Sequence, residues 1–147
     1  MPLVESRVVI EDANLGSVWD VMRDFEAFPR LMPDVLDVKC FDRDGETLKS
    51  AWRVLLNGSE LTWVEADQFV DRKEITFYQT EGDLEVWEGT WRLRTEGRAV
   101  IVDLTVLFDL GIPSLAHILD PIGIRAIKAN SRQMLEAINR NSRGMPV

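Results

Sequence analysis

LEVWEGTWRLRTEGRAVIVDLTVLFDL, residues 84–110, carries the pattern from which the fold is read. Trp87, Gly89, Trp91 and Leu93 share one face of an alternating segment, and Glu88, Thr90, Arg92 and Arg94 share the other. After a turn at Gly97 the alternation resumes, with Val100, Val102, Leu104, Val106, Phe108 and Leu110 set against Asp103, Thr105 and Asp109. A period of two on both sides of a tight turn specifies adjacent antiparallel strands with one buried and one wet face. The acidic residues here, and the nearby Glu85 and Glu88, read as that wet face.

Working upstream, four more strand segments cover 35–41, 47–56, 60–70 and 74–79. Asp42-Arg43-Asp44-Gly45, Asn57-Gly58, Asp71-Arg72-Lys73 and Glu81-Gly82-Asp83 separate them. Asn57-Gly58 is the firmest hairpin signal, because both central residues of a type I′ turn need positive φ. The chain opens with a strand over 4–10, where Val4, Ser6, Val8 and Ile10 share a face. Asn14 then suits a helix N-cap, and Leu15, Val18, Trp19 and Met22 follow helical spacing. Asp24 suits the cap of a second short helix through Phe28 and Leu31, which Pro33 stops.

Downstream, Gly111 to Ser114 ends the sheet and residues 114–119 suit a helical turn. Asp120 as N-cap with Pro121 at the first helical position then starts a long helix to about residue 140. Its length is roughly 30 Å. Ile127, Met134 and Ile138 form its apolar side, with Asn130 and Ser131 inside the same stripe. The order predicts an α+β fold: a seven-stranded curved antiparallel sheet wrapped around a long C-terminal helix, with two short helices after the first strand.

Composition narrows the function. The chain has 147 residues, 17 Lys+Arg against 25 Asp+Glu, and a net charge of -8. That length suits a single domain over 1–143 with a frayed tail at 144–147. The acidic balance, with no cluster of basic residues, argues against nucleic acid and anionic lipid as partners. One cysteine, Cys40, and one histidine, His117, cannot make a disulfide or a Cys/His metal site. The opening MPLVESRVVIED lacks the regions of a signal peptide, and no apolar run approaches the ~20 residues of a bilayer span. The expectation is a cytoplasmic protein with no integral membrane segment and no cofactor. Oligomeric state is not readable at this level. Five tryptophans and six phenylalanines are the compositional oddity; they build a large core or line a pocket.

Three stretches carry a family resemblance: 28–35 (FPRLMPDV), 82–91 (GDLEVWEGTW) and 130–134 (NSRQM). In this order and spacing the chain resembles the helix-grip fold of START-like and polyketide-cyclase-like proteins, the SRPBCC superfamily. The Glu-Gly-Thr-Trp piece is similar to the coenzyme Q-binding/polyketide cyclase group, and Asn-Ser-Arg-x-x-Met to the terminal helix of aromatase/cyclases. The resemblance implies a cavity for an apolar or aromatic small molecule between sheet and helix. It also implies, for aromatase/cyclases, a cavity-facing Arg on the strand after the hairpin, which polarises a polyketide carbonyl. The matching stretch is 63–71 (WVEADQFVD), with Gln68 at that position, able to donate a hydrogen bond but uncharged.

The candidate ligand-binding residues are therefore Trp52, Gln68, Trp87, Trp91, Asn130 and Met134, with Trp63 beside them. Each indole reads either as core filling or as cavity lining; as a group they favour a cavity. Asn130 and Ser131 bond either a ligand oxygen or the sheet. Gln68 faces either the cavity or solvent. Gly89 marks a place where Gly89→Leu would fill the cavity. His117 is solvent-facing or catalytic, and Tyr78 sits on a face the sequence does not decide. No Ser-His-Asp or Cys-His pairing follows from spacing, so no catalytic residue is assigned.

The leading expectation is a carrier for a lipid, isoprenoid quinone or polyketide. The alternatives are a polyketide aromatase/cyclase-like enzyme catalysing aldol cyclisation and dehydration, and a protein-interaction module of the ribosome-associating type.

Overall fold

The computed structural model describes residues 2–111 and 116–142, with side chains of the last helix described from Asp120 onward. The elements are β1 (Leu3–Ile10), α1 (Leu15–Arg23), a 3-10 turn (Phe25–Ala27), α2 (Phe28–Leu31), β2 (Val35–Asp44), β3 (Thr47–Leu56), β4 (Ser59–Val70), β5 (Glu74–Gly82), β6 (Val86–Glu96), β7 (Ala99–Asp109) and α3 (Ala116–Ser142). The seven strands form one antiparallel sheet in the order β1-β7-β6-β5-β4-β3-β2. The sheet is curved and α3 lies in its grip: this is the helix-grip fold.

Local chemistry explains the joints. Asn14 accepts from the Ser17 backbone N–H at 3.2 Å and caps α1. Asn14→Ala is expected to lower stability by about 1 kcal/mol in urea unfolding; no change would mean that water replaces the cap at no cost. Asp24 precedes the 3-10 turn but makes no side-chain cap bond. Pro29 sits in the first turn of α2, where its missing N–H is harmless. Asn57 and Gly58 have φ of 52° and 79°, as the hairpin they make requires.

Two expectations about α3 are corrected. The helix begins at Ala116, so Asp120 is not its N-cap and Pro121 lies inside it. Proline in the second turn removes a single N–H donor, and the packed helix tolerates the loss that sequence reasoning took for a boundary. At the other end, Asn141 and Ser142 are helical, with Asn141 Nδ2 donating to the Ala137 carbonyl at 2.7 Å. Residues 112–115, which span the expected end of the sheet and the start of the helical turn expected over 114–119, and the tail at 144–147 lie outside the described residues.

α3 packs along β1 and against α1. Ile127, Leu135, Ala137 and Ile138 are buried, and each of the larger three contributes about 2 kcal/mol by leaving water. Lys128 Nζ donates to the Glu5 carbonyl. Gln133 ties α3 to the chain before β2, accepting from the Asp34 N–H at 3.1 Å and donating to its carboxylate at 3.3 Å. Phe25 and Phe28 plug one end of the concave face, with ring centroids 5.2 and 5.7 Å from Trp52. Among the described residues no helix is long and apolar enough to cross a membrane.

Candidate functional site

Between the concave face of the sheet and α3 lies a cavity of about 30 Å³, room for roughly two waters. Its walls are four indoles: Trp52 on β3, Trp63 on β4, and Trp87 and Trp91 on β6. The register assembles them. Trp52 and Trp63 are cross-strand partners whose rings stack 6.0 Å apart with planes at 6°. Trp63 and Trp87 approach to 4.9 Å, tilted by 47°. From α3, Asn130, Ser131 and Met134 close the space.

Two acids stand inside this apolar wall. Trp63, Glu65, Asp67 and Phe69 of β4 point inward, while Val64, Ala66 and Gln68 point outward. Glu65 is 3% and Asp67 2% exposed. Trp63 Nε1 donates to Glu65 Oε1 at 2.7 Å. Ser50 donates to Asp67 Oδ2 at 2.5 Å and itself accepts from Trp52 Nε1 at 2.7 Å. Opposite Glu65, β5 carries a bulge: Val64 pairs with Glu81 and Glu65 with Gln79, leaving Thr80 as the extra residue. Bulges of this kind re-aim side chains beside functional sites.

Burial pushes both carboxyls upward. Glu65 stands well above the ordinary carboxylate range, first because it is desolvated and then because Asp67 lies beside it. Asp67 is pushed up to about 6 by desolvation, against the lowering effects of the adjacent Glu65 carboxyl and of the Ser50 hydrogen bond. Two like charges in one dry site are disfavoured, so the pair titrates as a unit. None of the groups acting on either carboxyl is a cation.

Two hydrogen-bond donors at the cavity, Trp87 Nε1 and Asn130 Nδ2, have no partner among the described residues. The Trp87 N–H lies close enough to Glu65 to lower its pKa, but without hydrogen-bond geometry. Asn130 also borders an open groove of about 380 Å³ between α3 and the β3–β4 hairpin, lined by Leu55, Gly58, Ile122 and Ala126 among others. The asparagine thus stands between the groove and the inner cavity.

Of the residues singled out in the sequence, Trp52, Trp87, Trp91, Asn130 and Met134 converge on this cavity. Gln68 does not. It is exposed on the outer face, paired in register with Thr47 and Thr76. A shift of one position along a strand moves a side chain to the opposite face, and the inward positions of this stretch hold Glu65 and Asp67. Where the resemblance leads one to expect an arginine, the cavity has carboxyls. The signal was present, since Trp63 and Phe69 are six residues apart and place 65 and 67 on their own face.

Tyr78 is 58% exposed on the outer face, and the side chain of His117 lies outside the described residues. Gly89 offers no room for a filling side chain: a Cβ there would meet the Thr105 carbonyl oxygen at 2.0 Å.

Ser50 links the indole of Trp52 to the acid pair, which makes it the most consequential small residue here. Ser50→Ala is expected to cost about 2 kcal/mol by orphaning an indole N–H and a buried carboxylate oxygen. Urea unfolding checks this; a loss below 0.5 kcal/mol, on the order of a surface change, would mean the network is not intact in solution.

Among the described residues no group of three or more His, Cys, Asp or Glu is placed to hold a metal. No curated protein matches the chain in sequence. The fold is similar to that of TTHA0849 from Thermus thermophilus, with 24% identity and a TM-score of 0.88 over 96% of this chain and 97% of that one. It is similar to the Zhui aromatase/cyclase from Streptomyces sp. R1128, with 18% identity and a TM-score of 0.79 over 96% and 93%. A START superfamily protein from Mycobacterium smegmatis shares it with 18% identity and a TM-score of 0.75 over 95% and 96%. Residues 12–135 match the sequence profile of the family described as polyketide cyclase/dehydrase and lipid transport, and the chain belongs to that family.

Proposed function

We propose that the protein binds a hydrophobic or aromatic small molecule between the concave sheet and α3, and acts as a carrier. The observation that supports this reading is the convergence of Trp52, Trp63, Trp87 and Trp91 with Asn130 and Met134 on one internal space. Indoles supply apolar area worth about 25 cal/mol per Å², and the methionine adapts to ligand shape. Family membership indicates hydrophobic ligand binding or polyketide-cyclase-like function, and a lipid, isoprenoid quinone or polyketide fits the lining chemistry. The unpaired Cys40 and the acidic surface suit a reducing, cytoplasmic setting.

A second reading, a cyclase-like enzyme promoting aldol closure and dehydration, draws on the Glu65–Asp67 pair. Paired carboxyls whose proton affinities are displaced by burial are suited to acid–base work. Such an enzyme would work without the arginine that the resemblance implies.

Native mass spectrometry of freshly purified protein, with organic extraction of what is bound, tests the carrier reading. A stoichiometric apolar adduct recovered unchanged is the expected result. A bare protein mass, together with no change in tryptophan fluorescence on adding naphthalene-sized aromatics, would overturn it. Conversion of a poly-β-ketone with loss of water would favour the enzyme.

A further inference from the structure

Resting on that binding reading, we propose that the polar end of the cavity selects a neutral ligand bearing a carbonyl-type acceptor oxygen and turns away carboxylates of the same shape. Trp87 Nε1 and Asn130 Nδ2 receive the oxygen, and the Glu65–Asp67 pair repels an anion.

The donors carry the first half of the argument. Trp87 and Asn130 are more than nine-tenths buried, both line the cavity, and neither N–H has a partner among the described residues. A buried unpaired donor is costly, and an acceptor oxygen recovers that loss. Two donors converging on one space call for an oxygen with two lone pairs, as in a ketone or a quinone. A hydrocarbon leaves both unpaired. An ammonium group also leaves both unpaired, and the cost of stripping its water offsets its attraction to the acid pair.

The acid pair carries the second half. A carboxylate would satisfy the same two donors, so they alone do not discriminate against it. Glu65 lines the same cavity and Asp67 stands beside it, with no cation among the described residues acting on either. Among the described residues, the side chains facing the pair include Ser50 and Trp52 from β3, Phe77 from β5, Trp87 from β6 and Asn130 from α3, all uncharged. Cys40 on β2, a thiol held protonated, also feels the Asp67 charge. An entering anion therefore meets a negative site in a low-dielectric space, where like charges interact strongly.

The test measures binding of 2-acetylnaphthalene, 2-ethylnaphthalene, 2-naphthoate and 2-(aminomethyl)naphthalene by tryptophan fluorescence and calorimetry. At pH 7.5 the ketone is expected to bind about tenfold tighter than the hydrocarbon, and at least about tenfold tighter than the carboxylate. In Glu65→Gln/Asp67→Asn the disadvantage of the carboxylate should shrink at least fivefold, roughly, while the ketone keeps its lead over the hydrocarbon. In wild-type protein at pH 5, where Asp67 is largely protonated and the aromatic carboxylate still ionised, the same narrowing should appear. Trp87→Phe and Asn130→Leu should each erode the lead of the ketone.

Equal binding of ketone and hydrocarbon, tighter binding of the carboxylate or the amine than of the ketone, or a carboxylate disadvantage unchanged in the double variant overturns this inference while leaving hydrophobic binding intact. Binding of none of the four overturns the binding reading itself, and this inference with it. The wild-type ranking needs no variant, so a substitution that fails to fold does not protect the proposal.

Discussion

Raising the pH from 5 to 8 is expected to destabilise the wild-type protein markedly more than a Glu65→Gln/Asp67→Asn variant. The sign follows from burial. An unfolded chain ionises these carboxyls near pH 4, whereas the folded chain holds Asp67 at about 6 and Glu65 well above its ordinary range. The folded state therefore binds more protons throughout that interval, and stability falls with rising pH wherever this is so. The stabilising contribution is full below the unfolded value and is lost as pH climbs through the folded one.

One pKa unit is worth about 1.4 kcal/mol. The rise of Asp67 from its ordinary 3.8 to about 6 corresponds to about 3 kcal/mol in all, roughly half of it already lost by pH 5, so that about 1.5 kcal/mol is lost between pH 5 and 8, and Glu65 adds a loss of the same sign. Neutral amides keep the shape and most hydrogen-bonding positions while removing the titration. Urea unfolding at both pH values for both proteins isolates the effect. Parallel pH profiles would show that the acids are hydrated in solution and not held in a dry site.

Gly89→Ala is expected to cost at least about 3 kcal/mol, and Gly89→Leu to prevent folding. The reason lies in close approach of backbones, not in φ. A Cβ at position 89 would stand 2.0 Å from the Thr105 carbonyl oxygen and 2.8 Å from the Phe77 ring. Phe77 is the β5 register partner of Gly89 and Val106 its β7 partner, so both neighbours are held by the sheet. Only glycine lets the sheet bend here with the Phe77 ring laid across it. The midpoint of urea unfolding for Gly89→Ala measures the penalty; a value within 1 kcal/mol of wild type, roughly the scale of a tolerated substitution, would mean that β6 and β7 separate at little cost.

Period-two patterning made the sheet legible, and did so most clearly where turns were chemically marked. Asn57-Gly58 places the β3–β4 hairpin because few other residues accept its φ angles. The face of β6 was readable from Trp87, Gly89, Trp91 and Leu93 because one side is apolar and the other charged.

β4 was harder, and for a physical reason. Its inward face carries Glu65 and Asp67, acids that binary patterning assigns to water. Their burial depends on Ser50, a partner supplied by the β3–β4 register, and on Trp63, two residues back on the same face of β4. Sequence-level reading fails where a site violates the pattern of the fold around it. The start of α3 was missed for a local reason, since the capping chemistry of Asp120-Pro121 suits a helix start while the helix runs from Ala116 with Pro121 inside it.

The smallness of the cavity has a kinetic consequence. Sites for drug-sized molecules run to about 300–1,000 Å³, against about 30 Å³ between these indoles. A ligand in solution thus meets a shut door, and encounter alone does not bind it. The groove bordered by Ile122, Ala126 and Asn130 is the natural threshold, and the first half of α3 above it exposes Ile122 and Ile124. Association should therefore level off with rising ligand concentration at the rate at which rings and helix part. Departure waits on the same event, so a cargo of modest affinity can have a long residence. For a carrier that dwell time governs delivery more directly than the equilibrium constant does.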